Sequence, residues 1–419
     1  MSFKKYILCL FGFFILGTLY PQEQQTKDIG SSGGPVLSAK AAVLLDAATG
    51  SVLYTKNPDL PLPPASLTKL MAMHIALSQS AALGISLDER FEVPEEGWWR
   101  NQPPRSSLMH LDRGQVVSLR ELLLGLVIPS GNDAAVAVAL RFSPTIDDFA
   151  AKMNAEARRL GLKTTSFVEA SGISEKNSTT ALEFAEFCRL YIKLHPETLK
   201  EYHTVEEFVY PKVENLLPTG QKRAQSFVYR NHIGLVGSYP GADGLKTGYI
   251  DEVGYNLAVT AQRDGTRFIA VILGVPTELG AYRGPQSRDA DGKALLDWAF
   301  NNYKTLYIEY PVLEDARIWK GTQNHVKVLP EIPSQDSPVF GAFTVKRDRG
   351  VQVYYDLEMF KGLVSPLPAA SVAGVLTFSD SLGEIARIPL LTSAPVEKGN
   401  IFKQIWDTIV MFFLGIKIA

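Results

Sequence analysis

Cysteine is nearly absent from this sequence: Cys9 and Cys188 are the only two in 419 residues. Neither belongs to a C-x-x-C pair, no H-E-x-x-H occurs, and the six histidines are scattered. A zinc ribbon or a disulfide-stapled scaffold is thereby excluded, and neither a metal nor a cofactor is expected. An excess of charge of one sign is missing too. Lys and Arg number 42 against 44 Asp and Glu, a formal net charge of −2. Nucleic-acid partners, which call for a basic surplus to neutralise phosphates, are therefore not expected. Long apolar runs are lacking as well. The uncharged run at 6–19 falls short of the roughly 20 residues that span a bilayer, which excludes a polytopic membrane protein. What remains, 46% apolar and 21% charged, is the balance of an ordinary folded chain. At about 150 residues per domain, the length provides for two or three domains.

The two ends point to an exported protein held at a membrane. Lys4 and Lys5 precede the apolar run, so residues 1–22 are expected to be a signal peptide. No small-x-small pair stands clearly before Pro21, and an uncleaved anchor is the alternative. With the leader removed, Cys188 is alone and cannot form an intrachain disulfide. Residues 23–37, polar and rich in Gly and Ser, read as a linker. Near the other end Ile401, Phe402, Ile405, Trp406, Ile409, Phe412, Phe413 and Ile416 recur at steps of three and four. Lys403, Gln404, Asp407, Thr408, Met411 and Gly415 fall mostly on the opposite side. Residues 398–419 are thus predicted to form an amphipathic helix lying in a membrane interface. A terminal helix docked on its own domain is the alternative.

Between the ends, apolar β-type runs at 41–46 and 51–56 flank Ala-Thr-Gly, a hairpin signal. The chain then turns helical, with prolines before the helix and none inside. Ser118-Leu119-Arg120-Glu121 is a capping box opening a helix through Val127, and a second apolar helix starts near Asn132. Further helices are predicted at 147–160 and 181–192. Two strands return around Arg263-Asp264-Gly265-Thr266, followed by a helix at 287–303. Strands at both ends of a helical middle predict an antiparallel sheet assembled from distant segments, with an inserted α-helical region. From 305 to 396, short β runs separated by Gly, Asp and Ser turns predict a small all-β sandwich without catalytic residues.

Three short motifs carry the chemistry. Ser66-Leu67-Thr68-Lys69 places a nucleophile and a base one turn apart on one helix face, at a helix N-terminus that favours negative charge. A lysine kept neutral by its surroundings can accept the serine proton. Alone the pattern means little, since Ser2 to Lys5 repeats it and Ser66 by itself reads as a helix cap. Ser130-Gly131-Asn132 lies in a turn between two apolar helices; it is either an interhelix turn with Asn132 as N-cap or a polar turn facing a cleft. In Asp243-Gly244-Leu245-Lys246-Thr247-Gly248, Lys246 and Thr247 would sit on an edge strand able to bind an extended peptide, with Gly248 letting a ligand approach the backbone.

S-x-x-K, then S-x-N about sixty residues on, then K-T-G over a hundred further, is the set found in penicillin-binding proteins and class A β-lactamases. With PPASLTKLM, LLLGLVIPSGNDAAVAVA, MNAEARRLGL and DGLKTGY, the chain resembles the low-molecular-mass penicillin-binding proteins, specifically the D-alanyl-D-alanine carboxypeptidases, from about residue 41 to 303. The resemblance implies a mixed α/β (α+β) β-lactamase-like transpeptidase domain at 38–304, the β domain at 305–396 and the membrane helix at 398–419. It implies hydrolysis of the terminal D-Ala-D-Ala bond of peptidoglycan stem peptides, inhibition by β-lactams, and residence on the outer face of the cytoplasmic membrane. By the same resemblance Ser66 is the nucleophile and Lys69 its base. Ser130 relays the proton to the leaving nitrogen, and Asn132 binds the substrate's amide backbone. Lys246 and Thr247 receive the terminal carboxylate, beside Gly248. The backbone N–H groups of Ser66 and Tyr249 form the oxyanion hole.

The sequence departs from that pattern twice. Where the family often has an Asn-Arg-Asn-like stretch whose Arg binds the carboxylate, Asn231-His232-Ile233 stands here, with Arg230 in another register. A histidine there would make carboxylate binding weaker or pH-dependent; a surface histidine in a loop is the alternative. Tyr249 replaces the family's frequent His or Thr, so only its backbone role carries over. Three other readings compete. A DD-endopeptidase would share every motif. A class A β-lactamase needs an E-x-x-L-N glutamate between Ser130 and Lys246, and Glu169 heads E-A-S-G-I-S instead. A non-catalytic wall-binding protein would have lost motifs that are intact here.

Overall fold

The computed structural model describes residues 33–218, 225–331 and 340–417; the expected leader and most of the expected linker lie outside them. The first apolar runs pair as a hairpin, β1 (Ala41–Asp46) and β2 (Val52–Lys56). The chain then enters α1 (Thr68–Leu83) through a single 3-10 turn at Ala65–Leu67. A two-stranded ribbon, β3 (Arg90–Glu92) and β4 (Val116–Ser118), leads to α2 (Leu119–Val127). The capping box forms as predicted: the Ser118 hydroxyl accepts the Glu121 N–H while the Glu121 carboxylate accepts the Ser118 N–H at 2.8 Å. Next come α3 (Asn132–Phe142), α4 (Ile146–Arg159) and α5 (Ala181–Leu194). Asn132 is not the N-cap of α3. Gly131 holds that position, which frees the Asn132 side chain for other bonds.

A second ribbon, β5 (Glu207–Tyr210) with β6 (Phe227–Arg230), precedes the strands that complete the main sheet. These are β7 (Ala242–Ile250), β8 (Gly254–Arg263) and β9 (Thr266–Val275). The sheet runs β2-β1-β9-β8-β7 with antiparallel neighbours, so β1 joins β9 across more than two hundred residues of chain. Side chains alternate across a strand, and here both faces are covered, so the strands are apolar throughout. Ile269, Val271 and Leu273 pack with the helical region; Phe268, Ala270 and Ile272 pack on the other face with Leu295, Leu296 and Ala299. Those last three belong to α6 (Gly280–Asn302), which begins seven residues before the predicted start at 287. Pro285 lies within that added stretch. Its missing donor lies near the helix N-terminus, and the burial of Gly284 and Arg288 keeps that first stretch helical. On the opposite face α1 is buried nearly all round over its first ten residues, the signature of a central helix.

Strand β10 (Tyr303–Glu309) runs straight out of α6 across the boundary expected at 304. It is followed by the short β11 (Ala316–Arg317), β12 (His325–Val326) and β13 (Val328–Pro330). Then come β14 (Phe340–Lys346), β15 (Tyr354–Met359), β16 (Val372–Asp380) and β17 (Gly383–Thr392). The β10–β14 ribbon faces the sheet β13-β17-β16-β15 through Tyr310 and Phe343, both against Phe378. Asp46 ties this β domain to β1: wholly buried, it accepts from Thr305 Oγ1 at 2.8 Å and Thr344 Oγ1 at 2.9 Å. Burial pushes its carboxyl above the ordinary range despite those bonds.

The chain ends in α7 (Ile401–Phe413), capped by Asn400, whose side chain accepts the Lys403 N–H. This helix docks with its polar side. Asp407 is 2% exposed and accepts the Lys320 N–H at 2.6 Å and the Lys403 ammonium at 2.7 Å. Phe402, Trp406 and Phe412, at 81%, 64% and 80%, face solvent. The helix is docked, and its apolar face is left uncovered. Among the described residues no helix is long and apolar enough to cross a membrane.

Candidate active site

The 3-10 turn at Ala65–Leu67 lifts Ser66 to the N-terminal end of α1 and leaves Lys69 one turn further on. Ala65, just before Ser66, has φ +50°, and Ser130 has φ +58°; both hold left-handed backbone without being glycine. Such residues cost about 1–3 kcal/mol each and persist where the surroundings over-determine them.

Lys69 is buried, and its Nζ has three acceptors: Ser66 Oγ at 2.9 Å, Asn132 Oδ1 at 2.8 Å and the Ser171 carbonyl. Asn132, from the first turn of α3, donates its Nδ2 to Ser106 Oγ at 3.1 Å. Burial pulls the lysine down to about 7, while Glu169 and Asp133 act in the opposite sense. At neutral pH a large fraction of Lys69 is therefore the free amine a base requires. Lys246, buried on β7, donates to its neighbour Thr247 O at 3.0 Å. Desolvation, then the charges of Lys69 and Arg288, holds it well below the usual lysine range.

Strand β7 is the edge of the sheet, as the sequence predicted, and passes beside the nucleophile. A Cβ on Gly248 would stand 3.0 Å from Pro64 O and 3.1 Å from Ser66 N. The glycine there makes room for the protein's own backbone and also stands in the cavity wall.

Ser66, Ser130, Asn132, Thr247, Gly248, Tyr249 and His232 line one cavity of about 660 Å³, with Lys69 and Lys246 immediately beneath. Arg230 is not among them; it is exposed and pairs with Glu207 at 3.1 Å. His232 does reach the cavity, but desolvation, followed by the charges of Lys246 and Arg288, holds its imidazole down to about 4. It is neutral through the physiological range, so the titration near neutrality expected from its sequence position does not arise from it.

Two residues escaped the sequence reading. Arg288 lines the cavity from α6, donating Nη2 to His232 O at 3.1 Å and pairing with Asp289 at 2.8 Å. It lies inside the helix predicted at 287–303, but no local pattern marks it as the residue facing the cavity. Asp133 is fully buried and accepts the backbone N–H groups of Met109 at 2.8 Å and Leu111 at 3.0 Å, which fixes the segment bearing Ser106. Burial raises its carboxyl to about 6. An aspartate in the first turn of an apolar helix was the only available signal. Among the described residues no group of His, Cys, Asp and Glu is placed to hold a metal.

Such a site can activate a serine, hold an extended peptide along β7 and meet a carboxylate with fixed positive charge. Comparison with known proteins agrees with that capacity. The family model for D-alanyl-D-alanine carboxypeptidases matches residues 29–277. The D-alanyl-D-alanine carboxypeptidase DacA of Haemophilus influenzae is 31% identical over 91% of each chain. Among solved structures, penicillin binding protein 5 from Haemophilus influenzae superposes with a TM-score of 0.72 at 28% identity, over 87% of this chain and 99% of that one. Penicillin-binding protein D2 from Listeria monocytogenes, in its cefotaxime-bound form, gives 0.54 at 28% identity over 64% and 99%.

Proposed function

Since this chain belongs to the D-alanyl-D-alanine carboxypeptidase family of serine-type peptidases, we propose that its acyl transfer runs through Ser66, with Lys69 as base. The observation that carries this reading is the buried Lys69 amine, held near neutrality and 2.9 Å from Ser66 Oγ. Neutral Lys69 takes the hydroxyl proton as Oγ bonds to the carbonyl carbon between the two terminal D-alanines. The negative charge that develops on the carbonyl oxygen is met by the Ser66 and Tyr249 N–H groups, each such donor being worth about 3 kcal/mol. Ser130 passes a proton to the leaving nitrogen as the C–N bond breaks and D-alanine departs. Asn132 holds the substrate's amide backbone. Thr247 and Arg288 receive the terminal carboxylate, with Lys246 setting the field and His232 as a neutral neighbour. Water then cleaves the ester and regenerates Ser66. A β-lactam, which presents a strained amide in place of the D-Ala-D-Ala bond, would acylate the same oxygen and leave slowly.

Around this site we infer an exported enzyme at the outer face of the cytoplasmic membrane, periplasmic where there is an outer membrane, held by α7 in the interface. The uncovered aromatic face of that helix supports the inference. The test of the catalytic reading is D-alanine release from an acyl-Lys-D-Ala-D-Ala peptide by the full chain in mild detergent, beside Ser66→Ala. Turnover lost in the variant is the expected result. Release unchanged in Ser66→Ala would exclude Ser66 as the nucleophile. Absence of release by the parent, with cleavage of cross-linked dimers, would point to an endopeptidase.

A further inference from the structure

Glu169 has no step in the scheme above, yet its carboxylate is among the most heavily engaged in the molecule. Oε2 accepts the Ser171 backbone N–H and hydroxyl, each at 2.6 Å. Oε1 accepts Gly172 N at 2.8 Å, Asn177 Nδ2 at 2.7 Å and, more loosely, Ser174 N at 3.4 Å. Hydrogen bonds to an ionised acceptor are the strong kind, and here they converge on one turn. That turn touches the reacting centre at two points. The Ser171 carbonyl accepts from Lys69 Nζ. Gly172, at φ +82°, lies under the Ala65–Ser66 peptide, where a Cβ would stand 1.9 Å from Ala65 O and 2.9 Å from Ser66 N. A further thread runs through Asn177, wholly buried, which donates Nδ2 to Thr68 Oγ1 at 3.4 Å as well as to Glu169.

We propose that Glu169 is a positioning residue for acyl transfer, fastening the turn that holds Lys69 and seats Ser66 and contributing its negative charge to the field on the Lys69 amine. The proposal rests on the Ser66–Lys69 reading. Glu169 acts through Ser171 and Gly172, and its two oxygens are committed to the turn and to Asn177, so it is not poised to activate water. The charged groups facing Lys69 are Glu169 from this turn, Asp133 from α3 and Lys246 from β7. Glu169 and Asp133 favour the ammonium form, so removing the Glu169 charge moves Lys69 towards the free amine at lower pH.

The experiment compares the parent with Glu169→Gln and Glu169→Asp in the full chain. It reads the acylation rate constant for a fluorescent penicillin from pH 5 to 9, with Ser66→Ala as control. Gln keeps the size, removes the charge and turns an N–H₂ towards donors. The expected result is a fall of roughly ten- to a hundred-fold in the rate constant at pH 8, the scale of a small misplacement of reacting groups. Half-saturation changes less than about threefold, and the acidic limb of the profile moves to lower pH, effects that loss of stability alone would not produce. Asp restores part of the rate and leaves the limb at the parent's pH. A Gln variant within twofold of the parent, or with a limb unmoved or moved to higher pH, overturns the proposal. Should the Gln variant not fold, as judged by thermal unfolding, an Asp variant as fast as the parent overturns it. Acylation that persists in Ser66→Ala would overturn the underlying reading, whereas normal parent acylation with indifferent Glu169 variants overturns only this one.

Discussion

Gly248 on the edge strand stands so close to Ser66 that a single added carbon would lie 3.1 Å from the nucleophile's backbone nitrogen. The edge of the sheet and the start of α1 are thus in close contact at this residue, which joins K-T-G to S-x-x-K. Gly248→Ala is expected to fold, since a shift of a few tenths of an ångström relieves the contact. Overpacking of this kind costs about 1–3 kcal/mol. The same shift moves the N–H groups proposed to meet the oxyanion, so acylation by a fluorescent penicillin should slow by roughly tenfold or more. A variant that is destabilised but acylates at the parent's rate would show that the contact matters only for folding.

The pH dependence follows from Lys69. Its folded value of about 7 lies below the ordinary lysine value because burial penalises the ammonium. Only the free amine accepts the Ser66 proton, so the acylation rate should rise about tenfold per unit below pH 7 and level off above it. Lys69→Arg, which cannot deprotonate, should lose roughly 10²–10⁴-fold in rate and lose the limb with it. A parent profile still climbing between pH 9 and 10.5 would assign the titration to a group that is not buried.

Arg288 and His232 divide the carboxylate question between them. Arg288 is buried, charged and fixed by His232 O and Asp289. His232 is neutral above about pH 4. Arg288→Ala should raise KM for a D-Ala-D-Ala peptide by at least tenfold, as expected for removal of a charge-assisted bond, and change kcat less. The same variant should show almost no penalty on the C-terminal amide of that peptide, which has no carboxylate to bind. His232→Ala should stay within about threefold of the parent at pH 7. Equal penalties for Arg288→Ala on acid and amide would remove Arg288 from carboxylate recognition.

The motifs, the capping box at Ser118, both hairpins of the main sheet and the edge position of Lys246 and Thr247 could be read in the sequence. In each case a local pattern, an offset of three residues or an apolar run beside turn residues, carries the information. The readings that went astray depended on contacts made across the fold. The first turns of α6, which contain Pro285, show no helical pattern in the sequence, and burial of Gly284 is what holds them to the fold. The packing of Gly248 against Pro64 O and Ser66 N, beside its place in the cavity wall, involves residues too distant in sequence to be foreseen. His232 was expected to titrate near neutrality because that is how a solvated ring behaves, and this one is desolvated and lies beside Lys246 and Arg288. Glu169 was weighed only for a motif it lacks, and its five donors come from residues brought round by the turn itself.

Helix α7 presents its aromatic side outward and commits Asp407 to the protein, the reverse of a helix that closes a core. Membrane partition should therefore survive weakening of the dock and fail when the outer face is charged. Phe412→Glu with Phe413→Glu removes two apolar side chains worth about 1.5–3 kcal/mol each when buried, so co-sedimentation with phospholipid vesicles should drop by a hundredfold or more. Turnover of a soluble peptide should be unchanged, because these side chains lie on α7 and do not line the site. Asp407→Ala should lower stability, since it strips the Lys320 N–H and the Lys403 ammonium of their acceptor, while vesicle binding remains. Trp406 supplies the local readout: its emission should shift to shorter wavelength on adding vesicles, and Trp406→Phe should abolish that shift while leaving binding in place. If the double Glu variant sediments with vesicles as the parent does, α7 is a docked terminal helix and the attachment lies elsewhere in the chain.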